Sequence, residues 1–154
     1  MSRLFALASQ HRRMIKVVHE VLTMSRFTES LVVTPLPDGK TWIILSDFGY
    51  EIGEEGSGNV INVPIGTYTD FASIPRLLWS ILPRWGKYGN AAVIHDWLYW
   101  NQDRSRVKAD RILREGMEVL EVPKWTQFAI YYAVRWFGWI AWASNQRKRN
   151  ALRQ

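Results

Sequence analysis

The stretch "AAVIHDWLYW", residues 91–100, places a histidine and an aspartate side by side inside an apolar run. Because ionisable groups are costly to bury, hydrophobicity alone does not explain His95 and Asp96. The run predicts a helix, with Asn90 as its N-cap. On that helix His95 and Tyr99 are four residues apart and share a face, whereas Asp96 is turned away by about 100°.

The segment that follows predicts a second helix packed beside the first. "SRVKADRILREGMEVL", residues 105–120, starts with Ser105 as a candidate cap and carries apolar residues at helical spacing. The connection "NQDRS" is short, so the two helices should run antiparallel. Asp110 then lies one to two turns into the second helix, where its carboxylate can reach His95.

A contact between His95 and Asp110 has two interpretations. A carboxylate that accepts one imidazole N–H fixes the tautomer and leaves the other nitrogen as a base near neutral pH. Asp96 then remains available to bind a hard cation. Alternatively, His95 is a core histidine hydrogen-bonded to Asp110, and Asp96 caps a helix or pairs with an arginine.

The rest of the chain predicts an α+β protein: a helical arm, a small antiparallel sheet, and then a bundle of three to four helices. "LVVTPL" and "TWIILS" flank the turn "PDG", which indicates a hairpin, and further strand-like pieces surround a glycine-rich turn. "IPRLLWSIL", residues 74–82, indicates a short helix with Pro75 in its first turn. The last helix begins near Pro123. We expect an amphipathic arm at 1–24, one domain at 25–144 and a basic tail at 145–154.

Composition narrows the classes of function. The chain has 154 residues, enough for one domain with a core, and no cysteine, which excludes disulfides and thiolate zinc sites. The net charge is +6, but the basic residues concentrate at the two ends without a groove-reading pattern, so nucleic acid is not the expected partner. No secretory signal is evident, and synthesis in the cytoplasm is expected.

Asp70 and Ser73 are further candidates, because they follow a strand and precede a helix. Asp70 is either a second metal ligand or a hydrogen-bond acceptor for loop amides, His95 or Arg76. Ser73 fits a helix N-cap better than a nucleophile, since no G-x-S-x-G turn surrounds it. His11 and His19, in the arm, are expected to be surface residues.

The last helix is unusually aromatic. "FAIYYAVRWFGWIAWA", residues 128–143, contains Arg135 as its only charge and is shorter than the roughly 20 apolar residues of a membrane span. Tyr132, Trp136 and Trp139 form one stripe. This is either a central core helix packed on both sides or a helix that docks on another subunit or a bilayer surface. In the second case Trp136, Trp139 and Arg135 are the expected interaction residues.

Three segments together carry a resemblance: "VPIGTYTDFASIPR", "AAVIHDWLY" and "KADRILREGM". They resemble a phage- and prophage-encoded family known as domain of unknown function 1353, over about residues 25–140. "AAVIHDWLY" followed by "AD" is also similar, more distantly, to the histidine–aspartate helical hairpin of parvovirus-type phospholipase A-two domains. In those domains a glycine-rich loop before the helix helps to bind calcium; "RWGKYGN" lies in about that place.

The second resemblance implies roles for individual residues. His95 would activate water, Asp110 would orient His95, Asp96 would bind calcium, and Tyr99 would support the network. It implies a metal-assisted hydrolase, acting on lipid esters. The alternative from a different class is a non-enzymatic virion or tail component, in which the aromatic helix and basic arm contact other phage structural proteins or further copies of the chain.

Overall fold

The computed structural model describes residues 10, 13–14, 24–71 and 86–152. Three features of the sequence lie outside these ranges: nearly all of the arm with His11 and His19, Ser73, and the helix expected around Pro75. The architecture of the described residues is α+β, as the sequence predicts, with six short strands followed by three helices.

The strands form two three-stranded antiparallel sheets rather than the single sheet expected. The first sheet has the order β1 (Arg26–Phe27), β4 (Phe48–Glu51), β5 (Val60–Val63). The second has the order β2 (Val33–Pro35), β3 (Trp42–Ile44), β6 (Tyr68–Thr69). The chain divides in this way because β1 pairs with β4 and β6 returns to β3, two pairings between strands that are not consecutive in sequence.

The predicted hairpin is confirmed as β2 and β3, which pair from Val33 opposite Ile44 to Pro35 opposite Trp42. Asp38 closes its turn by accepting hydrogen bonds from the backbone N–H groups of Lys40 and Thr41. Gly39 has a φ of 65°, a backbone conformation that glycine adopts without a steric penalty.

The three helices are α1 (Gly89–Asn101), α2 (Arg106–Val119) and α3 (Lys124–Ala151). Ser105 caps α2, accepting a hydrogen bond from the backbone N–H of Lys108, as predicted. The prediction of Asn90 as the cap of α1 is wrong. Tyr88 occupies that position without a side-chain cap, because the turn closed by Gly89 N–H and the Gly86 carbonyl leads directly into the helix.

The core lies between α1, α2 and the inner faces of the strands, and α1 is buried over most of its circumference. Helices α1 and α2 approach closely where Gly116 faces Ala91; a Cβ at position 116 would lie 3.1 Å from the Ala91 Cβ. This close antiparallel pair sets the distance between side chains on the two helices. It therefore positions the site described below.

Helix α3 packs on α1 and α2 along one side only. Its inner side buries Ile130 and Val134, whereas Trp136 is 68% exposed and Trp139 is 59% exposed. The prediction of a core helix packed on both sides is therefore wrong. No helix in the described ranges combines the length and hydropathy that crossing a bilayer requires. The helix continues to Ala151, across the expected boundary at residue 144.

Candidate functional site

The site begins with the predicted contact between His95 and Asp110, which is present. The Nε2 atom of His95 lies 3.0 Å from Oδ1 of Asp110, and both side chains are completely buried. Asp110 is ionised in the arrangement described below, so Nε2 carries the proton and donates it to the carboxylate. The opposite ring nitrogen, Nδ1, is buried and has no hydrogen-bond partner among the residues that the structure describes.

Asp110 is the centre of a larger network. Its Oδ1 atom also accepts a hydrogen bond of 2.7 Å from the Tyr99 hydroxyl. Its Oδ2 atom lies 2.7 Å from an Arg135 nitrogen and 3.4 Å from an Arg106 nitrogen. Arg106 also donates to the carbonyl groups of Val134 and Arg135. The carboxylate therefore links all three helices.

These contacts decide the protonation states. Burial opposes ionisation of Asp110, but hydrogen bonds from His95, Tyr99 and Arg135 outweigh it and hold the pKa of Asp110 below its usual value. Burial, with a smaller contribution from the charge of Arg106, lowers the pKa of His95 below 6.5, although Asp110 opposes this change. At neutral pH the pair is therefore a carboxylate and a neutral imidazole.

Tyr99 reaches Asp110 because α3 carries a glycine where the tyrosine meets it. A Cβ at Gly138 would overlap the Tyr99 hydroxyl. The Tyr99 ring also packs on His95, with ring centroids 4.1 Å apart, and edge-on against Trp142 at 5.2 Å. Tyr99 therefore joins the network through its hydroxyl, and its ring forms part of the packing around His95.

Asp96, the neighbour of His95, lies in a different environment. It is half-buried, its Oδ2 atom accepts a hydrogen bond of 2.7 Å from Thr69, and the described residues form no ion pair with it. Burial, and secondly the charge of Asp70, raise the pKa of Asp96 to about 8. Within the described residues Asp96 bonds to Thr69 and neither caps a helix nor pairs with an arginine.

Asp96 and Asp70 both line a pocket of about 650 Å³ between the β5–β6 connection, α1 and α3. Its walls combine aromatic residues with small polar and apolar ones; those in the described part of the chain are Thr41, Pro64, Ile65, Gly66, Thr67, Tyr68, Thr69, Trp97, Tyr99, Trp100, Ala141 and Asn145. His95 is absent from this lining. Two residues next to His95 do line the pocket: Asp96, which follows it in sequence, and Tyr99, whose ring packs on it.

The predicted metal ligands do not make a metal site by themselves. Within residues 24–71 and 86–152, no group of three or more histidine and acidic side chains can hold a metal ion. Calcium takes six to eight oxygen ligands, and Asp96 with Asp70 supplies two carboxylates. In the expected calcium loop, the carbonyl of Gly86 already accepts a hydrogen bond from Gly89. The described donor set does not fit calcium.

The outer face of α3 is defined here by six exposed side chains: Trp125, Phe128, Tyr132, Trp136, Trp139 and Ile140. On an α-helix these positions fall within an arc of about 120°. Trp136 and Trp139 belong to this face, as the sequence predicts for a docking helix. Arg135 does not, because its guanidinium is directed to Asp110.

Sequence reasoning missed three parts of the site. Arg106 stands four residues before Asp110, a spacing at which an arginine and an aspartate share a helix face, so the signal was present. Trp97 and Trp100 line the pocket, and no spacing rule separated them from core aromatics. Thr69 gave no signal, since it meets Asp96 only through the return of β6 to β3.

Comparison with known proteins adds the following. The sequence model of the family described as "Protein of unknown function (DUF1353)" matches residues 42–134. Uncharacterized protein y4jT of Sinorhizobium fredii (strain NBRC 101917 / NGR234) is 38% identical over 95 residues, which are 60% of this chain and 27% of that protein. No solved structure matches the chain. The family model covers more than half of the chain, and the matched residues include His95, Asp96, Tyr99 and Asp110. The protein therefore belongs to the DUF1353 family.

Proposed function

We propose that this protein is a hydrolase in which His95 is the general base and Asp110 is the group that orients it. One observation carries the proposal. The Nε2 atom of His95 is held by a carboxylate, while Nδ1 is buried and meets no hydrogen-bond partner in the described part of the chain. Buried polar atoms are rarely left without a hydrogen bond, and those that are call for an explanation. A water molecule bound there during turnover is that explanation.

The chemistry follows from this geometry. Nδ1 removes a proton from a water molecule as the water oxygen attacks an ester carbonyl, and Asp110 stabilises the resulting imidazolium. When the tetrahedral intermediate collapses, the bond to the alcohol oxygen breaks, and Nδ1–H returns its proton to that oxygen. A lipid ester is the substrate class implied by the similarity to phospholipase A-two domains. No step is assigned to calcium, because the described residues do not complete a site for it.

Access to the base is the main requirement of the proposal. The His95 side chain has no exposed surface, and the nearby pocket stops at Asp96 and Tyr99. A substrate bound in this pocket would lie next to Asp96 and Tyr99, the two lining residues that adjoin His95. The hydrolase therefore requires that the packing around His95 opens when the pocket is filled, so that water reaches Nδ1.

An ester-release assay tests the proposal. Mixed phospholipid vesicles and a soluble nitrophenyl ester are offered to the native protein and to His95→Gln, each with calcium and with a chelator. Asp103→Asn is the control, because it changes an exposed side chain in the α1–α2 connection. We expect His95→Gln to lose at least about 100-fold of the native rate, the usual contribution of a general base. A folded native protein without turnover on either substrate contradicts the hydrolase.

The exposed outer face of α3 favours a second candidate function, that of a phage virion or assembly component. Each aromatic residue can bury about 150–250 Å², so six large side chains that are roughly half exposed present about 600 Å². This is close to the roughly 800 Å² per partner of a standard interface. The occupant proposed for this face is a second copy of the chain.

Light scattering after size exclusion tests this second candidate. The native protein should self-associate, and the double variant Trp136→Ser/Trp139→Ser should be monomeric with unchanged circular dichroism. The control is Leu45→Ser/Val107→Ser, which removes two exposed apolar side chains elsewhere and should leave the association unchanged. A native chain that remains monomeric at high concentration contradicts self-association, and binding of that monomer to vesicles would assign the face to a bilayer instead.

A further inference from the structure

The pocket beside Asp96 has acidic and no basic side chains among its described lining residues, although the protein as a whole is basic. The chain carries a net charge of +6, but two aspartates and no lysine, arginine or histidine occur among the described residues that line the pocket. Four of the lining residues are aromatic: Tyr68, Trp97, Tyr99 and Trp100. A pocket of about 650 Å³ is within the usual range for small-molecule sites.

We propose that this pocket binds an organic cation, a primary or quaternary ammonium group, with Asp96 as its counter-ion and the aromatic residues as its walls. Aromatic rings attract ammonium groups through their negative faces, and sites for quaternary ammonium ligands are commonly built from several aromatic residues. The Asp96 carboxyl group accepts a hydrogen bond from Thr69 and forms no ion pair within the described residues. Because its pKa is raised to about 8, Asp96 is mostly protonated at pH 7 in the free protein; a bound cation favours the carboxylate form, so binding releases a proton and strengthens as the pH rises.

The composition of the pocket distinguishes this ligand from other classes. A hard divalent cation requires oxygen ligands on most sides, and the described residues provide no group of three or more acidic or histidine side chains for it. An anion would meet Asp70 and Asp96 without a basic side chain among the described lining residues. A cation with an apolar surface suits both Asp96 and the aromatic residues.

The inference does not require that His95 be a base. If the pocket holds the substrate of the proposed hydrolase, the ammonium group is part of that substrate, and this extension rests on the proposed function. Binding at equilibrium is measured without turnover. Failure of the cation to bind and failure of ester hydrolysis are therefore separate outcomes.

Calorimetric titration with a matched pair of ligands provides the test. Choline and 3,3-dimethyl-1-butanol have nearly the same shape, but only choline is charged. At pH 8.5, where Asp96 is largely ionised, we expect choline to bind the native protein at least about tenfold more tightly than the neutral alcohol, since charge-assisted contacts contribute more than neutral ones. Binding should weaken as salt is added.

Variants then assign the charge to Asp96. Asp96→Asn keeps an oxygen that can accept the Thr69 hydrogen bond but removes the negative charge, so choline affinity should fall at least about tenfold while affinity for the alcohol is retained. Asp103→Asn removes an exposed acid from the α1–α2 connection and should change neither. Equal affinity for the two ligands, or full choline binding by Asp96→Asn, overturns the proposal.

Discussion

Gly138 of α3 lies directly against the hydroxyl of Tyr99, and a methyl group at position 138 would occupy the space of that hydroxyl. The same hydroxyl donates a 2.7 Å hydrogen bond to Asp110. The absence of a side chain on α3 therefore permits a hydrogen bond between α1 and α2. This contact connects the packing of the last helix to the geometry of the candidate site.

The first prediction concerns this contact. Gly138→Ala should destabilise the protein by about 1 kcal/mol, because overpacking of about 1–3 kcal/mol exceeds the gain in helix propensity of about 1 kcal/mol. The double variant Gly138→Ala/Tyr99→Phe lacks the hydroxyl that the new methyl group would meet. Its loss of unfolding free energy should therefore be smaller than the sum of the losses in the two single variants. Urea unfolding of the four proteins measures this coupling. Additive losses would show that the residues do not interact.

The second prediction concerns the carboxylate at the centre of the network. Asp110→Asn removes the carboxylate that pairs with Arg135 and Arg106, so both guanidinium groups lose their charge partner. The change should lower the unfolding free energy by about 3 kcal/mol. Asp103→Asn, an exposed aspartate seven residues earlier, should stay within about 0.5 kcal/mol of the native protein. Denaturant titration at pH 7 compares them. An equal and small effect of both changes would mean that Asp110 does not hold the helices together.

The third prediction follows from the raised pKa of Asp96, about 8 in the folded protein. Since an aspartate in the unfolded chain titrates near 4, the folded state binds this proton more tightly. The stabilisation is complete below about pH 4 and is lost as the pH rises through 8. Asp96→Asn does not titrate, so it should be more stable than the native protein at pH 8.5, by about 1 kcal/mol after allowance for partial exposure.

Urea midpoints at pH 5 and pH 8.5 measure this effect for the native protein, Asp96→Asn and the control Asp103→Asn. The difference between Asp96→Asn and the native protein should grow toward the higher pH. A difference that is the same at both values would show that Asp96 titrates as an ordinary surface carboxylate.

The fourth prediction concerns the pH dependence of any hydrolysis that depends on His95. A general base must be neutral, and burial together with the charge of Arg106 lowers the pKa of His95. The rate should therefore fall with decreasing pH only below the ordinary histidine value of 6.5. Arg106→Gln removes the positive charge that helps to lower the pKa of His95. The acid limb of the pH profile of kcat/KM should therefore move to higher pH. A limb at or above 6.5 in the native protein would argue against His95 as the base.

Local sequence determined the elements that depend on neighbouring residues. The turn around Asp38 and Gly39, and the cap at Ser105, could be predicted because their hydrogen bonds span three residues or fewer. The contact between His95 and Asp110 was also predictable. A short connection makes two helices antiparallel, and the helical period then decides which side chains meet.

Tertiary structure alone decided the rest of the site. Arg135 reaches Asp110, Thr69 reaches Asp96 and Gly138 faces Tyr99 only after α3 and β6 have packed against α1 and α2. These residues are distant in sequence, and no local periodicity specifies the angle or depth at which their elements cross. For the same reason, the sequence predicted a polar pair in an apolar helix, while long-range packing determined that His95 is enclosed and that Asp96 faces a pocket.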